Sequence, residues 1–177
     1  MSSLTSTIND QLPHEQTHRL LSATEKRAIY LQARKTASAV LEGESDVIAR
    51  MATVTGILAH HLPYFFWTGF YQVDPTKGDE LVVGPYQGTL GCLRIHFNRG
   101  VCGACARSQK PIIVPSVQKF PGHIACDSRS QSEIVVPIFD RQKNLIAVLD
   151  VDSEFTEAFD EVDREELVTI ANDIFST

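Results

Sequence analysis

The sequence predicts an α+β domain, in which two helices, a mostly antiparallel sheet and a returning helix follow one another along the chain. Apolar residues recur at helical spacing near both ends of the chain. Between these segments lie short runs rich in aromatic and β-branched residues, separated by turn residues, which is typical of strands. A length of 177 residues with 43% apolar residues fits one globular domain with a single sizeable core.

The helices before the sheet have clear boundaries in the sequence. Ser22 and Glu25 form a capping box, because the hydroxyl and the carboxylate can each satisfy a free backbone amide. Gly43 is expected to end this helix. A second helix is expected to begin near Ser45 and to end before Pro63.

The two ends of the chain lead to different expectations. Residues 1–20 show no apolar periodicity and are expected to form a flexible or loosely docked tail. The folded domain is therefore assigned to residues 21–177. A last helix is expected after Asp160, which is a favourable N-cap residue.

The middle of the chain is expected to form the sheet. A glycine-rich stretch at 100–106 is expected to lead into a short helix, and residues 115–131 are expected to form a long polar loop. Such a long loop in a compact domain is usually functional. Strands are predicted at residues 64–71, 81–83, 93–97, 111–114, 133–139 and 145–152.

Charge and hydropathy exclude several classes of partner. The net charge is −6 and no block of Lys or Arg occurs, so neither nucleic acid nor an anionic membrane is an expected partner. No apolar run approaches membrane-spanning length, and the N-terminal residues lack the apolar stretch of a secretory signal, so a cytoplasmic location is expected. In that reducing compartment, cysteines are more often redox-active or metal-binding than joined in structural disulfides.

The four cysteines are the first candidate for chemistry. Cys92, Cys102, Cys105 and Cys126 all fall within 35 residues, in glycine-rich and polar segments rather than in the apolar strands. A buried structural role is the usual fate of a single cysteine. Clustering in loops favours a chemical role here.

A zinc site is the alternative interpretation of these cysteines. Cys102 and Cys105 have the spacing of a ligand pair, and His96 and His123 could complete a site. The spacing of the two histidines matches no ordinary zinc pattern, so this interpretation stays second.

Cys126 is the most conspicuous of the four thiols, because it lies inside the long polar loop. A protonated His123 would lower the pKa of Cys126, whereas Asp127 would raise it. The sequence leaves open which of the two effects dominates.

Three carboxylates are expected to gather at one end of the sheet. Asp150 and Asp152 share one face of their strand, because side chains alternate along a strand. Glu133 opens the preceding strand, and a hairpin about residues 140–144 would place it beside the two aspartates. The two aspartates alone could simply reach water past the sheet edge, but a cluster of three is relieved by a cation, which could be a metal ion, a Lys or Arg, or the ammonium of a ligand.

An aromatic strand is expected to line the same region. Trp67, Gly69 and Tyr71 share one strand face, which would form an aromatic wall with a glycine gap. Such a wall suits an apolar or soft sulfur-bearing group, although ordinary core packing is about as probable from this stretch alone. The glycines in residues 84–88 are expected to form tight turns near Cys92.

Taken together, these segments resemble the free methionine-(R)-sulfoxide reductases, which are enzymes built on a GAF domain. The resemblance covers most of residues 64–153. It implies a GAF-like fold with a six-stranded antiparallel sheet flanked by N- and C-terminal helices, often in a homodimer. The matching segments are WTGFY (67–71), GPYQG (84–88), Cys92, RGVCG (99–103), GHIACD (122–127), SEIVVPI (132–138) and LDVDS (149–153).

The resemblance also implies roles for individual residues. Cys126 matches the catalytic cysteine of the family, Cys92 the resolving cysteine, and Cys102 a further cysteine that can assist resolution. Cys105 departs from the family pattern, since a small residue without a thiol is usual there, and it stays unassigned. The residues that match the substrate-binding positions are Trp67, Tyr71, Glu133, Asp150 and Asp152.

The implied reaction reduces free L-methionine (R)-sulfoxide to methionine. The Cys126 thiolate attacks the sulfur, and one of the three carboxylic acids, with a raised pKa, protonates the departing oxygen. Cys126 is left as a sulfenic acid, which Cys92 converts to a disulfide that a thioredoxin-like protein reduces. No metal or organic cofactor is required.

Two other functions compete with this interpretation. GAF domains often bind small ligands as sensors without catalysis, although a sensor needs neither a nucleophile nor a resolving thiol and normally accompanies an output domain. A zinc-stabilised interaction domain is the third possibility.

Overall fold

The structure is a computed structural model that describes residues 20–123 and 126–176. The tail expected at residues 1–20 therefore lies outside the described residues, apart from Leu20. Among these residues, no helix is long and apolar enough to cross a membrane. The helices are α1 (Ala23–Val40), α2 (Val47–His61), α3 (Gly100–Ser108) and α4 (Glu161–Phe175), and the strands are β1 (Trp67–Val73), β2 (Glu80–Gln87), β3 (Arg94–His96), β4 (Ile112–Val114), β5 (Ser132–Phe139) and β6 (Leu145–Ser153).

Six strands of the described chain form one sheet in the order β3-β2-β1-β6-β5-β4, and every neighbouring pair is antiparallel. The prediction of an α+β fold with a six-stranded antiparallel sheet is confirmed. The β5–β6 hairpin turns at residues 140–144, as expected, because the Asp140 carboxylate accepts a hydrogen bond from the Asn144 amide (2.8 Å) and Lys143 adopts φ 66°.

The capping box of Ser22 and Glu25 starts α1 as expected. Helix α2 begins close to Ser45 and ends before Pro63, as expected, and its N-cap is Asp46, whose carboxylate accepts a hydrogen bond from the Ala49 amide (2.8 Å). One local prediction needs correction. The glycine-rich segment 84–88 does not begin with a tight turn. Strand β2 continues to Gln87, and the shift of its register with β1 leaves Gly84 and Pro85 at a bulge, where the missing proline donor is tolerated.

The sheet has one apolar core on each of its faces. Helices α1, α2 and α4 cover the first face, which we call the helix face, where Phe70, Leu149 and Val151 point into the core. Helix α3 and the connecting loops cover the opposite face, which we call the site face, where Trp67, Tyr71 and Val148 point. Alternation along β1 and β6 thus sorts the side chains as the sequence predicted.

A buried ionic cluster, which we call the Lys26 cluster, joins the first and last helices on the helix face. The Lys26 ammonium contacts Asp163, Asp160 (3.0 Å) and the Ala158 carbonyl (2.8 Å). Tyr30 (2.9 Å) and Tyr64 also donate hydrogen bonds to the Asp163 carboxylate. Burial followed by neighbouring charge raises the pKa of both phenols, so each stays a donor. The cluster ties α1 to α4 through one buried ammonium that pairs with the carboxylates of Asp160 and Asp163.

Candidate active site

The pairing of β5 with β6 brings three carboxyl groups together on the site face. Glu133 lies directly opposite Asp152. Asp150 precedes Asp152 by two residues, so its side chain lies on the same face of β6. Glu133 and Asp150 are only 5% and 6% exposed, whereas Asp152 is partly buried. We call these three residues the acid trio. The hairpin expected from the sequence therefore assembles the cluster that alternation predicted.

The acid trio has no cationic partner among the described lysines and arginines. Burial is the main cause that raises the pKa of each of its carboxyl groups, and the charge of a neighbouring trio member adds to it. Asp150 Oδ1 is buried without a hydrogen-bond partner in the described part of the chain. Such an arrangement favours the arrival of an external cation, because unmatched buried charge is costly.

An aromatic wall borders the acid trio, since β1 pairs with β6 and places Trp67 opposite Asp152. The Trp67 indole stacks on Tyr71 (ring centroids 5.6 Å apart) and on Tyr86 (5.3 Å). The indole nitrogen donates a hydrogen bond to the Thr89 carbonyl (2.9 Å). Tyr86 was not singled out as a wall residue from the sequence, although it belongs to the GPYQG segment.

The expected glycine gap in this wall is not open. A Cβ atom at Gly69 would lie 2.4 Å from Trp67 Cη2, so the indole ring covers this position. A Cβ atom at Gly91 would likewise lie 3.0 Å from Trp67 Cζ2 and 2.9 Å from the Tyr71 hydroxyl. The two glycines therefore make room for the wall, rather than leaving a hole in it.

Cys92 and Cys126 form a disulfide, with their Cα atoms 5.6 Å apart. The pairing agrees with the one that the family resemblance implies. Cys126 is exposed and Cys92 is partly buried. Leu90 and Leu93, close to Cys92 in the sequence, are 83% and 76% exposed, so two apolar side chains near this cysteine in the chain face solvent.

The other two cysteines are free thiols on α3, and both are buried. The Cys102 thiol lies 4.0 Å from Glu133 Oε1 and lines the same cavity as the acid trio. Cys105 Sγ contacts the Val135 carbonyl at 3.7 Å. Burial, followed by the charge of Asp150, raises the pKa of both thiols, so neither is activated in this state.

The zinc site considered from the sequence is not assembled in the described residues. His96 pairs with the exposed Asp79 (3.0 Å) instead of approaching the cysteines. Among the described side chains, the group of three potential metal ligands that does come together is Cys102, Glu133 and Asp150. Cys105 is not part of it.

The two polar neighbours of Cys126 behave differently from one another. Burial lowers the pKa of His123, which favours a neutral imidazole, and its Nε2 atom lies 3.5 Å from Glu133 Oε2. Hydrogen bonds from Arg129 (2.9 Å) and Thr89 (2.8 Å) hold the pKa of Asp127 well below its usual range. Asp127 is therefore ionised and already paired, whereas the lowered pKa of His123 favours its neutral form, in which it adds no positive charge beside Cys126.

One cavity brings most of the predicted site residues together. Cys92 reaches it through its disulfide to Cys126. Burial and the charge of Asp150 raise the pKa of the Tyr71 phenol, with a backbone hydrogen bond from Cys92 acting against them. The same cavity is thus lined by Cys126, by the aromatic wall and by the acid trio. The lining residues are Trp67, Tyr71, Leu90, Gly91, Ile95, Gly100, Val101, Cys102, His123, Cys126, Asp127, Ser130, Glu133, Asp150 and Asp152.

Comparison with known proteins gives consistent matches. The family model described as the GAF domain matches residues 51–175. The chain is 50% identical over 131 residues to GAF domain-containing protein A of Dictyostelium discoideum, covering 74% of this chain and 80% of the relative. It is 36% identical over 142 residues to the free methionine-R-sulfoxide reductase of Escherichia coli, covering 80% and 84% of the two chains.

A solved structure shows the same similarity. The free methionine-R-sulfoxide reductase from Neisseria meningitidis, determined in complex with its substrate, superposes with a TM-score of 0.79 at 43% sequence identity. The superposition covers 88% of this chain and 92% of that protein.

Proposed function

The chain belongs to the GAF domain family and, within it, to the free methionine-R-sulfoxide reductases, and on that premise we propose that it reduces free L-methionine (R)-sulfoxide to methionine. The observation that carries this proposal is the acid trio, which has no Lys or Arg partner among the described residues and faces the same cavity as Cys126. Cys126 is the attacking sulfur and Cys92 is the resolving thiol.

Recognition of the substrate begins with its ammonium group. Glu133, Asp150 and Asp152 supply the negative charge that a free amino acid requires, and a peptide-bound residue lacks this ammonium. The methyl sulfoxide end rests against Trp67 and Tyr71, since a soft sulfur group packs favourably on aromatic rings. The trio therefore selects the free amino acid, and the wall holds its sulfur near Cys126.

The chemistry starts from the reduced enzyme. The Cys126 thiolate attacks the sulfoxide sulfur, and an acid of the trio protonates the oxygen, because burial raises the pKa of all three carboxyl groups. Oxygen is transferred overall, so methionine leaves and Cys126 becomes a sulfenic acid. The Cys92 thiol then displaces this oxygen as water and forms the disulfide.

Recycling requires two electrons from a dithiol. We propose a thioredoxin-like protein of the cytoplasm as this partner, since Cys126 is an exposed residue that a protein thiol can approach from solvent. The exposed side chains of Leu90 and Leu93, close to Cys92 in the sequence, offer an apolar contact surface to such a protein. Cys102 lies at the inner side of the cavity and is a second thiol able to assist resolution.

A homodimer is a further part of the proposal. Four apolar side chains of α1 and α2 lie at the surface of the helix-face layer, where a second copy could cover them. Their exposed fractions are 52% for Leu31, 62% for Val40, 40% for Val47 and 47% for Ile48. Sedimentation analysis of the purified protein tests this point.

The decisive experiment incubates the protein separately with each methionine sulfoxide epimer and dithiothreitol, and measures the free methionine released. We expect release from the (R) epimer, and its loss in Cys126→Ser. Cys92→Ser is expected to complete one turnover and to recycle slowly with a thioredoxin-like donor. Saturable binding of the epimer without release of methionine would contradict catalysis and would favour a GAF sensor.

A further inference from the structure

The inner end of the cavity contains a group of potential metal ligands that the proposed reaction uses only in part. We propose that Cys102, Glu133 and Asp150 bind a thiophilic divalent cation, such as Zn²⁺ or Cd²⁺, and that this cation excludes the free amino acid. The ligand atoms of these three residues lie within 4.8 Å of one another. They come from three elements, α3, β5 and β6, which hold them at one point.

The distances between these ligand atoms are close to the distances between atoms that coordinate one shared ion. At zinc–sulfur and zinc–oxygen distances of about 2.3 and 2.1 Å, two ligand atoms of a tetrahedral site lie about 3.6 Å apart. Cys102 Sγ and Glu133 Oε1 are already 4.0 Å apart. Rotation of the side chains that moves the ligand atoms by about 1 Å would therefore complete the site, with the sheet unchanged.

An unsatisfied atom points to a ligand at this position. Asp150 is 6% exposed and lines the cavity, and its Oδ1 atom has no hydrogen-bond partner among the described residues. Native proteins seldom leave a buried acceptor in this state. A cation held by Asp150 and its two neighbours would satisfy that atom.

The donor set determines the kind of cation. A thiolate with two carboxylates suits Zn²⁺ or Cd²⁺, whereas Mg²⁺ and Ca²⁺ take oxygen ligands almost exclusively. The Nε2 atom of His123, 3.5 Å from Glu133 Oε2, is available as a fourth ligand. Cation binding displaces the Cys102 thiol proton to solvent, so the coordinated sulfur is a thiolate.

Mutual exclusion with the amino acid rests on the proposed function, in which the same carboxylates hold the substrate ammonium. The cation and the ammonium would compete for the same pair of buried carboxylates. A thiophilic cation would therefore act as a competitive inhibitor, and it would also remove Cys102 from thiol exchange. Binding itself can be tested without any turnover.

The experiment uses the oxidised protein, in which the Cys92–Cys126 disulfide is closed and Cys102 and Cys105 are the free thiols. The protein is titrated with Cd²⁺, and the thiolate-to-cadmium absorption in the ultraviolet is recorded. We expect one equivalent to bind with this absorption. Cys102→Ser should abolish the band, and Asp150→Asn should weaken binding by more than about tenfold. Cys105→Ser, a buried thiol one helical turn away, is the matched control and should bind as the wild type does.

Two results would overturn the proposal. The first is the absence of a cadmium–thiolate band in the oxidised wild type, and the second is a band that survives in Cys102→Ser. Free methionine should raise the apparent Kd for Cd²⁺, and an unchanged Kd would refute mutual exclusion. Failure of the proposed function is seen separately, as the absence of methionine release with dithiothreitol.

Discussion

The two faces of the sheet each bury carboxyl groups, but they treat them in opposite ways. On the helix face, the Asp163 carboxylate forms an ion pair with the Lys26 ammonium and accepts hydrogen bonds from Tyr30 and Tyr64. On the site face, the acid trio has no Lys or Arg partner among the described residues, and Asp150 Oδ1 has no hydrogen-bond donor.

This difference distinguishes a structural cluster from a candidate binding site. A buried carboxylate whose cation belongs to the same chain contributes to the fold, because removing either partner leaves an uncompensated charge. Buried acids without a cation reduce stability and gain a partner only when a ligand binds. Within the described part of the chain, the acid trio lacks the cationic partner that the Lys26 cluster contains, which makes the trio a candidate binding site.

The strongest test of this comparison removes the cation from the helix face. Lys26→Met should lower the free energy of unfolding by about 3–5 kcal/mol, because it leaves Asp163 buried without its counter-ion. The measurement is urea denaturation at neutral pH. Lys77→Met, which breaks an exposed pair with Glu80, is the control and should change stability by less than about 1 kcal/mol. Equal effects of the two changes would show that the Lys26 cluster is not structural.

The second test removes a charge from the site face. Asp150→Asn should raise the KM for free methionine sulfoxide by at least about tenfold, because one partner of the ammonium is lost. The same change should leave stability unchanged or increase it, since a buried charge disappears. Steady-state kinetics and thermal unfolding provide the two measurements. Asp127→Asn, at an acid already paired with Arg129, should raise the KM less. A large loss of stability in Asp150→Asn would show that Asp150, like Asp163, stabilises the fold, and would contradict the distinction between the two faces.

The third test uses pH. Burial raises the pKa of the trio in the folded protein above the ordinary carboxyl value of about 4. From that pH upward the folded protein binds more protons than the unfolded chain, so the trio's contribution to stability decreases as pH rises. The stability of the wild type relative to Asp150→Asn should therefore fall with pH above about 4, by up to about 1.4 kcal/mol per pH unit. Denaturation of both proteins across this range measures it, and parallel curves would contradict a raised pKa.

The smallest expected effect concerns the exposed leucines on the two faces. The double variant Leu90→Ser and Leu93→Ser should slow recycling by a thioredoxin-like protein about threefold or more, because the exposed apolar surface close to Cys92 in the chain is lost. Recycling by dithiothreitol should change little. Leu31→Ser, an exposed leucine on α1, serves as the control and should not affect protein-driven recycling. Equal slowing with both reductants would indicate a change in the cavity instead.

Much of this arrangement could be predicted from the sequence, because it depends on short-range rules. Strand alternation placed Asp150 and Asp152 on one face, and the hairpin about residues 140–144 brought Glu133 beside them. The Cys92–Cys126 pairing came from family resemblance, since the course of a long loop does not follow from local patterns. The roles of the site residues stay predictions.

Other features depend on contacts between distant segments and were missed. Lys26 looks like an ordinary helix-surface lysine in the sequence, yet its partners Asp160 and Asp163 follow more than 130 residues later. The bulge at Gly84 and the position of the Trp67 ring depend on how β2 pairs with β1. The predicted gap at Gly69 was wrong for this reason, because a ring from the same strand fills it.

The indole that covers Gly69 belongs to the single tryptophan of the chain. It lies between two tyrosine rings, in the cavity that Cys126 and the acid trio also line. All indole fluorescence of the protein therefore originates at this one place. Changes of solvent polarity around the ring, or conversion of the nearby sulfurs between bonded and free forms, should alter the emission spectrum of the unlabelled protein. The molecule thus contains its own optical probe for titrations and stopped-flow measurements.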